Sequence, residues 1–185
     1  GNSVDCAPDG KTLAVGGWWD PGRTGHQREE YAPARRGSVL LFSVPTGQAM
    51  AALPEAGAEV ISVKFSPDGQ ALFVADRSRT ALLCDRATGS ERWRIAGCSP
   101  LHGSRDMFAF SPDSKNLAVL ADGTIALHDV TTGAKSGTFQ GEWWPTSLVF
   151  AQDGRSLLVG TRDGTIRRLP VNATRAVAHD KPRRI

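Results

Sequence analysis

Apolar and polar residues alternate in short runs along this chain, and no helical 3.6-residue period lasts over a usable length. Ile61-Ser-Val-Lys-Phe65 has the two-residue period of a half-buried strand. Ser66-Pro-Asp-Gly69 follows it directly, with proline presetting φ and glycine accepting a positive φ, so a turn is predicted there. Leu72 and Val74 then mark a second strand. The same order occurs four times without gaps: Cys6-Ala-Pro-Asp-Gly-Lys-Thr-Leu-Ala-Val15, Phe65-Ser-Pro-Asp-Gly-Gln-Ala-Leu-Phe-Val74, Phe110-Ser-Pro-Asp-Ser-Lys-Asn-Leu-Ala-Val119 and Phe150-Ala-Gln-Asp-Gly-Arg-Ser-Leu-Leu-Val159. The turn aspartates are Asp9, Asp68, Asp113 and Asp153.

A second block follows each turn. Gly123-Thr-Ile-Ala-Leu-His-Asp-Val-Thr-Thr-Gly133 aligns with Arg79-Thr-Ala-Leu-Leu-Cys-Asp-Arg-Ala-Thr-Gly89, and segments 37–47 and 164–174 fill the same slots. Asp122-Gly123 and Asp163-Gly164 are hairpin signals into a third strand. Thr-Gly at 46–47, 88–89 and 132–133 turns the chain into a fourth, which carries Leu53, Ile95 and Phe139.

Four short antiparallel strands repeated at about 40–45 residues are the signature of a β-propeller, whose blades bury their faces by stacking on one another. The expected fold is all-β, with four four-stranded blades forming an incomplete or open arc. The blades are placed at 1–54, with a long insert at 16–36 between the second and third strands, then at 55–97, 98–141 and 142–178. The fourth blade has a weak outer strand, and a basic tail occupies 179–185.

The Phe-Ser-Pro-Asp-Gly turn, the Asp-Gly-Thr-Ile hairpin and the Leu-x-Asp-x-x-Thr-Gly ending resemble the WD-repeat family, over roughly residues 4–171. The resemblance implies a rigid, non-catalytic platform on which other proteins assemble. No blade carries Trp-Asp at the end of its third strand; those slots read Phe42-Ser43, Cys84-Asp85, His128-Asp129 and Leu169-Pro170. His128 stands where the family often has tryptophan, so a packing role is expected for it.

Composition adds exclusions. The 185 residues carry 22 Lys+Arg against 19 Asp+Glu, a net charge of +3 that is too small to argue for nucleic acid. No run approaches the ~20 apolar residues of a membrane helix, and no secretion signal is read at the start, so a cytoplasmic location is the expectation. Three scattered cysteines argue against a disulfide framework. Cys6 aligns with a phenylalanine slot and is expected in the core, whereas Cys98, in a loop, is the thiol expected at the surface.

Catalytic motifs are missing: there is no G-x-S-x-G elbow, phosphate-binding glycine loop or H-E-x-x-H, and the four histidines lack metal spacing. No enzyme activity, metal or cofactor is expected. The repeated aspartates sit in turns, where such a side chain hydrogen-bonds nearby backbone. The 16–36 insert is rich in aromatic and arginine side chains, the types enriched at interface hot spots. In a four-stranded meander it shares a face with segments 97–106 and 141–145. That face gathers Trp18, Trp19, Tyr31, His102, Arg105, Trp143 and Trp144 as candidate partner-binding residues. The expected function is a protein-interaction scaffold or sensor module. The alternatives are an accessory propeller of a larger enzyme, for substrate gating or cofactor binding, and more remotely a nucleic-acid-associated module. Expected partners are proteins, together with further blades of a parent chain or a second copy that would close the ring.

Overall fold

The computed structural model describes residues 3–18, 37–53, 56–98, 108–121, 123–141 and 144–171. Every regular element among them is a β-strand. The first sheet pairs β1 (Ser3–Cys6), β2 (Thr12–Trp18), β3 (Gly37–Ser43) and β4 (Ala49–Ala52) in chain order. The second pairs β5 (Val60–Phe65), β6 (Ala71–Asp76), β7 (Thr80–Asp85) and β8 (Glu91–Ala96). The third pairs β9 (Phe108–Phe110), β10 (Asn116–Ala121), β11 (Thr124–Asp129) and β12 (Lys135–Phe139). The fourth has β13 (Pro145–Phe150), β14 (Ser156–Thr161) and β15 (Ile166–Pro170), and its expected outer strand lies outside the described residues.

The repeat is exact in register. Cys6 pairs with Leu13, Phe65 with Leu72, Phe110 with Leu117 and Phe150 with Leu157. The Pro-Asp-Gly turns form as expected, with Gly10, Gly69 and Gly154 at φ near +70° and Ser114 taking the same left-handed position at φ 59°. The turn aspartates serve their own turns: Asp9 accepts the Lys11 N–H at 2.8 Å, Asp113 the Lys115 N–H at 3.1 Å and Asp153 the Arg155 N–H at 2.9 Å, while Asp68 accepts the Ser66 hydroxyl at 2.5 Å. Asp85 and Asp129 do the same in the Asp-x-x-Thr-Gly turns, accepting from Thr88 and Thr132 through backbone N–H and hydroxyl.

The chain groups into two compact units. In the unit of Gly1–Phe65 and Gly69–Glu91, one face of the first sheet (Ala14, Val39, Leu41, Leu53) shares a core with Val63, Phe65, Leu72 and Val74. Burying each of the larger side chains contributes about 1.5–3 kcal/mol. The sheets approach closely because Gly16 and Gly37 lack side chains: a Cβ on Gly37 would stand 1.9 Å from the Ala58 carbonyl oxygen, and one on Gly16 2.6 Å from a Val60 methyl. Polar caps fix the approach, with Ser3 Oγ accepting the Val63 N–H at 3.1 Å and Asp5 Oδ2 the Phe65 N–H at 2.7 Å. In the unit of Ser66–Asp68 and Arg92–Ile185, Ala118, Leu120, Ile125, Leu127 and Phe139 share a core with the Leu157 and Val159 face of the fourth sheet.

Three expectations are corrected. Gly16, Gly17 and Trp18, read as the start of the insert, continue β2 in register with β3, down to a Trp18–Gly37 pair. Cys6 is exposed although its register equivalents Phe65, Phe110 and Phe150 are buried, because none of the described residues covers the face of the first sheet that carries it. Cys98 is only 4% exposed, so a loop position did not place its thiol at the surface. The uncovered first face carries Val4 at 60% exposure, and the free face of the fourth sheet carries Val149 at 56%, as in an incomplete propeller.

Candidate interaction surface

Two of the predicted contact residues lie within the described structure, Trp18 and Trp144; Trp19, Tyr31, His102, Arg105 and Trp143 lie outside the described residues. Trp144 is 67% exposed and immediately precedes β13. Its carbonyl accepts the Arg162 N–H at 2.8 Å, which ties the residue to the β14–β15 hairpin. That hairpin is itself rigidly built. Asp163 accepts the Thr161 hydroxyl at 2.5 Å, the Thr165 hydroxyl at 2.8 Å and the Thr165 N–H at 3.0 Å. Those bonds favour the carboxylate and hold Asp163 down at about 2, the two hydroxyls first and the amide next. The arrangement presents a flat indole on fixed backbone beside a turn of mixed charge, Arg162 and Asp163.

Trp18 is 40% exposed at the end of β2. By register it stands where Arg162 stands in the fourth sheet and Arg77 in the second, so each of the two tryptophans marks the same end of its own blade. In the second sheet the slot of Trp144 holds Glu59, whose carbonyl accepts the Arg77 N–H at 3.0 Å and whose carboxylate pairs with the Arg77 side chain at 2.5 Å. The fourth sheet keeps the backbone link and replaces an ion pair with an exposed aromatic.

The structure also assigns side chains that the sequence reading passed over. Arg86, next to turn residue Asp85, donates to Asp9 at 2.7 Å and to Thr12 Oγ1 at 2.8 Å, with its guanidinium 5.7 Å from the Phe65 ring centroid. Trp93 in β8 donates its indole N–H to the Val130 carbonyl at 3.0 Å. His128 is buried, as the packing expectation required, and its Nδ1 lies 3.0 Å from the Gly133 carbonyl. For Arg86 the only advance signal was its position beside a turn of the repeat, and for Trp93 its place in the fourth strand of its blade.

Among the described residues no group of three or more His, Cys, Asp or Glu is placed to hold a metal ion, and no helix is long and apolar enough to cross a membrane. No curated protein matches the chain. The WD40 family (WD domain, G-beta repeat) matches residues 133–167. The matched stretch takes in β12, β13, β14 and the start of β15, so one sequence repeat contributes the last strand of the third sheet and the first strands of the fourth. The matched repeat and the stacked antiparallel sheets together fit a WD-repeat β-propeller.

Proposed function

We propose that this chain is a non-catalytic protein-interaction scaffold or sensor module that binds a partner protein at the blade ends marked by Trp18 and Trp144, with Trp19, Tyr31, His102, Arg105 and Trp143 as further contacts. WD40 domains are generally non-catalytic scaffolds that mediate protein–protein interaction. The observation that carries the reading is Trp144, an indole left 67% exposed on a backbone held by Arg162. A large aromatic on a rigid support contributes contact area at little entropic cost, which is why such residues dominate interface energetics. Asp9, Asp113 and Asp153 support a non-catalytic role, since each has a carboxylate oxygen engaged by the turn backbone. All three cysteines are free thiols, in keeping with a reducing, cytoplasmic setting.

The nucleic-acid alternative is weaker at the described arginines. Arg168 donates to Ser156 at 2.8 Å and lies 3.7 Å from Asp153, so this arginine of the last sheet stands beside a carboxylate. The test is quantitative affinity capture with the wild-type chain, Trp18→Ala, Trp144→Ala and a control at exposed Met50. The expected result is a loss of at least tenfold in retained partner for either tryptophan variant, with Met50→Ala unchanged. Equal capture by all four proteins, with unchanged melting points, overturns the proposal.

A further inference from the structure

The uncovered face of the first sheet is built like a face that other sheets of the same chain keep covered. In the second sheet, Val63, Phe65, Leu72, Val74, Leu82 and Cys84 occupy six register positions and are all buried. The same six positions of the first sheet are also apolar: Val4, Cys6, Leu13, Val15, Leu40 and Phe42. Val4 and Cys6 are nevertheless exposed, and the other four are only half-buried. An apolar face of this kind on a soluble blade marks a contact surface.

The chain itself shows what covers such a face. Strand β5 of the second sheet is received by the Ser3 and Gly16 pair of the first: Ser3 Oγ accepts the Val63 N–H, and Gly16 leaves room for the Val63 side chain, which a Cβ would approach to 2.7 Å. Ser147 and Gly160 form the same pair at the same register of the fourth sheet, with Ser147 Oγ lying over Gly160, 2.6 Å from where a Cβ would stand, so that this hydroxyl turns outward to receive a neighbour. The second and third sheets have Ala75 and Leu120 where these have glycine. Beside Ser147 and Gly160 stand Val149 and Ile166, 56% and 47% exposed, with Leu158 half-buried. The first sheet therefore offers Val4 at the register of Val63, and the fourth sheet offers the serine–glycine receiver for it.

We infer that the fourth sheet of one copy docks on the Val4 face of the first sheet of a second copy, Ser147 accepting the Val4 N–H as Ser3 accepts that of Val63. The contact is heterologous, joining two different surfaces, so it produces a closed dimer or a longer head-to-tail series according to the rotation it imposes. This surface is separate from the tryptophan-bearing blade ends, and it rests on the reading of the repeats as propeller blades.

Register supplies the test. Asp5, whose carboxylate reaches the Phe65 amide, corresponds to Val149, and Phe65 corresponds to Cys6. In the docked pair, position 149 of one copy therefore lies beside Cys6 of the other. The purified chain is examined by light scattering over a hundredfold concentration range, alongside Val4→Asp and Ile166→Asp, each a change at an exposed position. Val149→Cys is then mildly oxidised and its disulfides are mapped, with Cys6→Ser as the control. Expected are a dimer or larger species for the wild type, association at least tenfold weaker for each aspartate variant, and an intermolecular disulfide between Cys6 and the new thiol. A chain that stays monomeric throughout overturns the inference, as does an oligomer that both aspartate variants leave intact. Far-ultraviolet circular dichroism of each protein reads the fold separately: loss of the β-sheet signal in the wild type counts against the propeller reading itself.

Discussion

The indole of Trp93 stacks on the imidazole of His128, ring centroids 5.8 Å apart and planes 22° from parallel, while its N–H donates to the Val130 carbonyl at 3.0 Å. A Cβ on Gly133, which turns at φ 72°, would stand 2.6 Å from the same indole. Glycine, histidine and a turn carbonyl thus form one seat for one tryptophan. His128 supplies the flat face of that seat from β11, and the turn carbonyl and glycine close it.

Removing that tryptophan empties the seat. Trp93→Ala forfeits the stack and leaves the Val130 carbonyl to water. For a half-buried aromatic with one hydrogen bond the expected loss is about 1–3 kcal/mol of unfolding free energy. Trp93→Phe retains ring contact and recovers part of the loss. Urea unfolding of the two variants checks this; equal stability of Trp93→Ala and wild type contradicts it.

Glycines provide a contrast between steric and conformational constraint. Gly37→Ala places a methyl 1.9 Å from the Ala58 carbonyl oxygen, so the first two sheets have to shift apart; overpacking of this kind costs about 1–3 kcal/mol or more. Gly10→Ala meets nothing within 4 Å but imposes a side chain at φ 67°, so its cost is the left-handed backbone alone, on the order of 1 kcal/mol. Chemical denaturation is expected to rank Gly37→Ala as the more damaging change. The reverse order contradicts the close approach of β3 to the Ala58–Val60 segment.

Most of the fold was legible because it repeats. The Leu-x-Val pairs and Pro-Asp-Gly turns each occur in aligned copies, and a local signal repeated in register becomes a statement about architecture. What pairs with what across sheets was not legible. Nothing in the sequence around Gly37 separates a glycine needed for close approach from one needed for a turn. Arg86 reaches Asp9 across 77 positions, a distance over which no local pattern carries information. Cys6 was misjudged for the same reason, since its slot is apolar in every copy and burial depends on whether another sheet lies against it. At the candidate surface, the tryptophans were visible as residue types, but the Arg162 link that fixes Trp144 is a backbone contact that side-chain identity does not reveal.

Acid stability carries a signature of the fourth sheet. Three hydrogen bonds hold Asp163 at about 2, below its ordinary 3.8. A carboxylate depressed in the folded state contributes stability that is fully present above the unfolded value and is lost as pH falls through the folded one. The contribution of Asp163 therefore disappears between roughly pH 4 and pH 2. Asp163→Asn is expected to flatten the pH dependence of stability in that window. Thr161→Val, which removes the first of the hydroxyl donors, is expected to raise the Asp163 midpoint in a carboxyl-detected nuclear magnetic resonance titration. An unmoved midpoint contradicts the hydrogen-bonded turn.

Asp9 reports on the Arg86 clasp in the same way but with a different order of causes. Its carboxylate is held below the usual range first by the Lys11 amide and only then by the Arg86 guanidinium. Arg86→Ala is therefore expected to move the Asp9 titration upward only part of the way, because the Lys11 N–H remains in place. Arg86→Lys is not an equivalent replacement, since one guanidinium nitrogen donates to both Asp9 and Thr12 while the other donates to the Gly69 carbonyl at 3.4 Å, and a single ammonium lacks that second nitrogen. A full return of Asp9 to 3.8 in Arg86→Ala means that the arginine also positions the turn.

The three thiols give the quickest check on the uncovered face of the first sheet. Cys6 is exposed, whereas Cys84 and Cys98 are buried, and thiol modification follows accessibility when no strong activation distinguishes the groups. At low protein concentration a water-soluble maleimide is expected to modify Cys6 rapidly, with Cys84 and Cys98 reacting only as the fold opens. Mass spectrometry of the digested protein assigns each site. Denaturant then separates the two classes: the Cys84 and Cys98 rates rise with the unfolded fraction, while the Cys6 rate changes little. If Cys98 reacts as fast as Cys6 in the native protein, the burial of that loop thiol is wrong. If Cys6 is the slow one in a monomeric sample, part of this same chain covers the Val4 face and the surface is not open to a second copy.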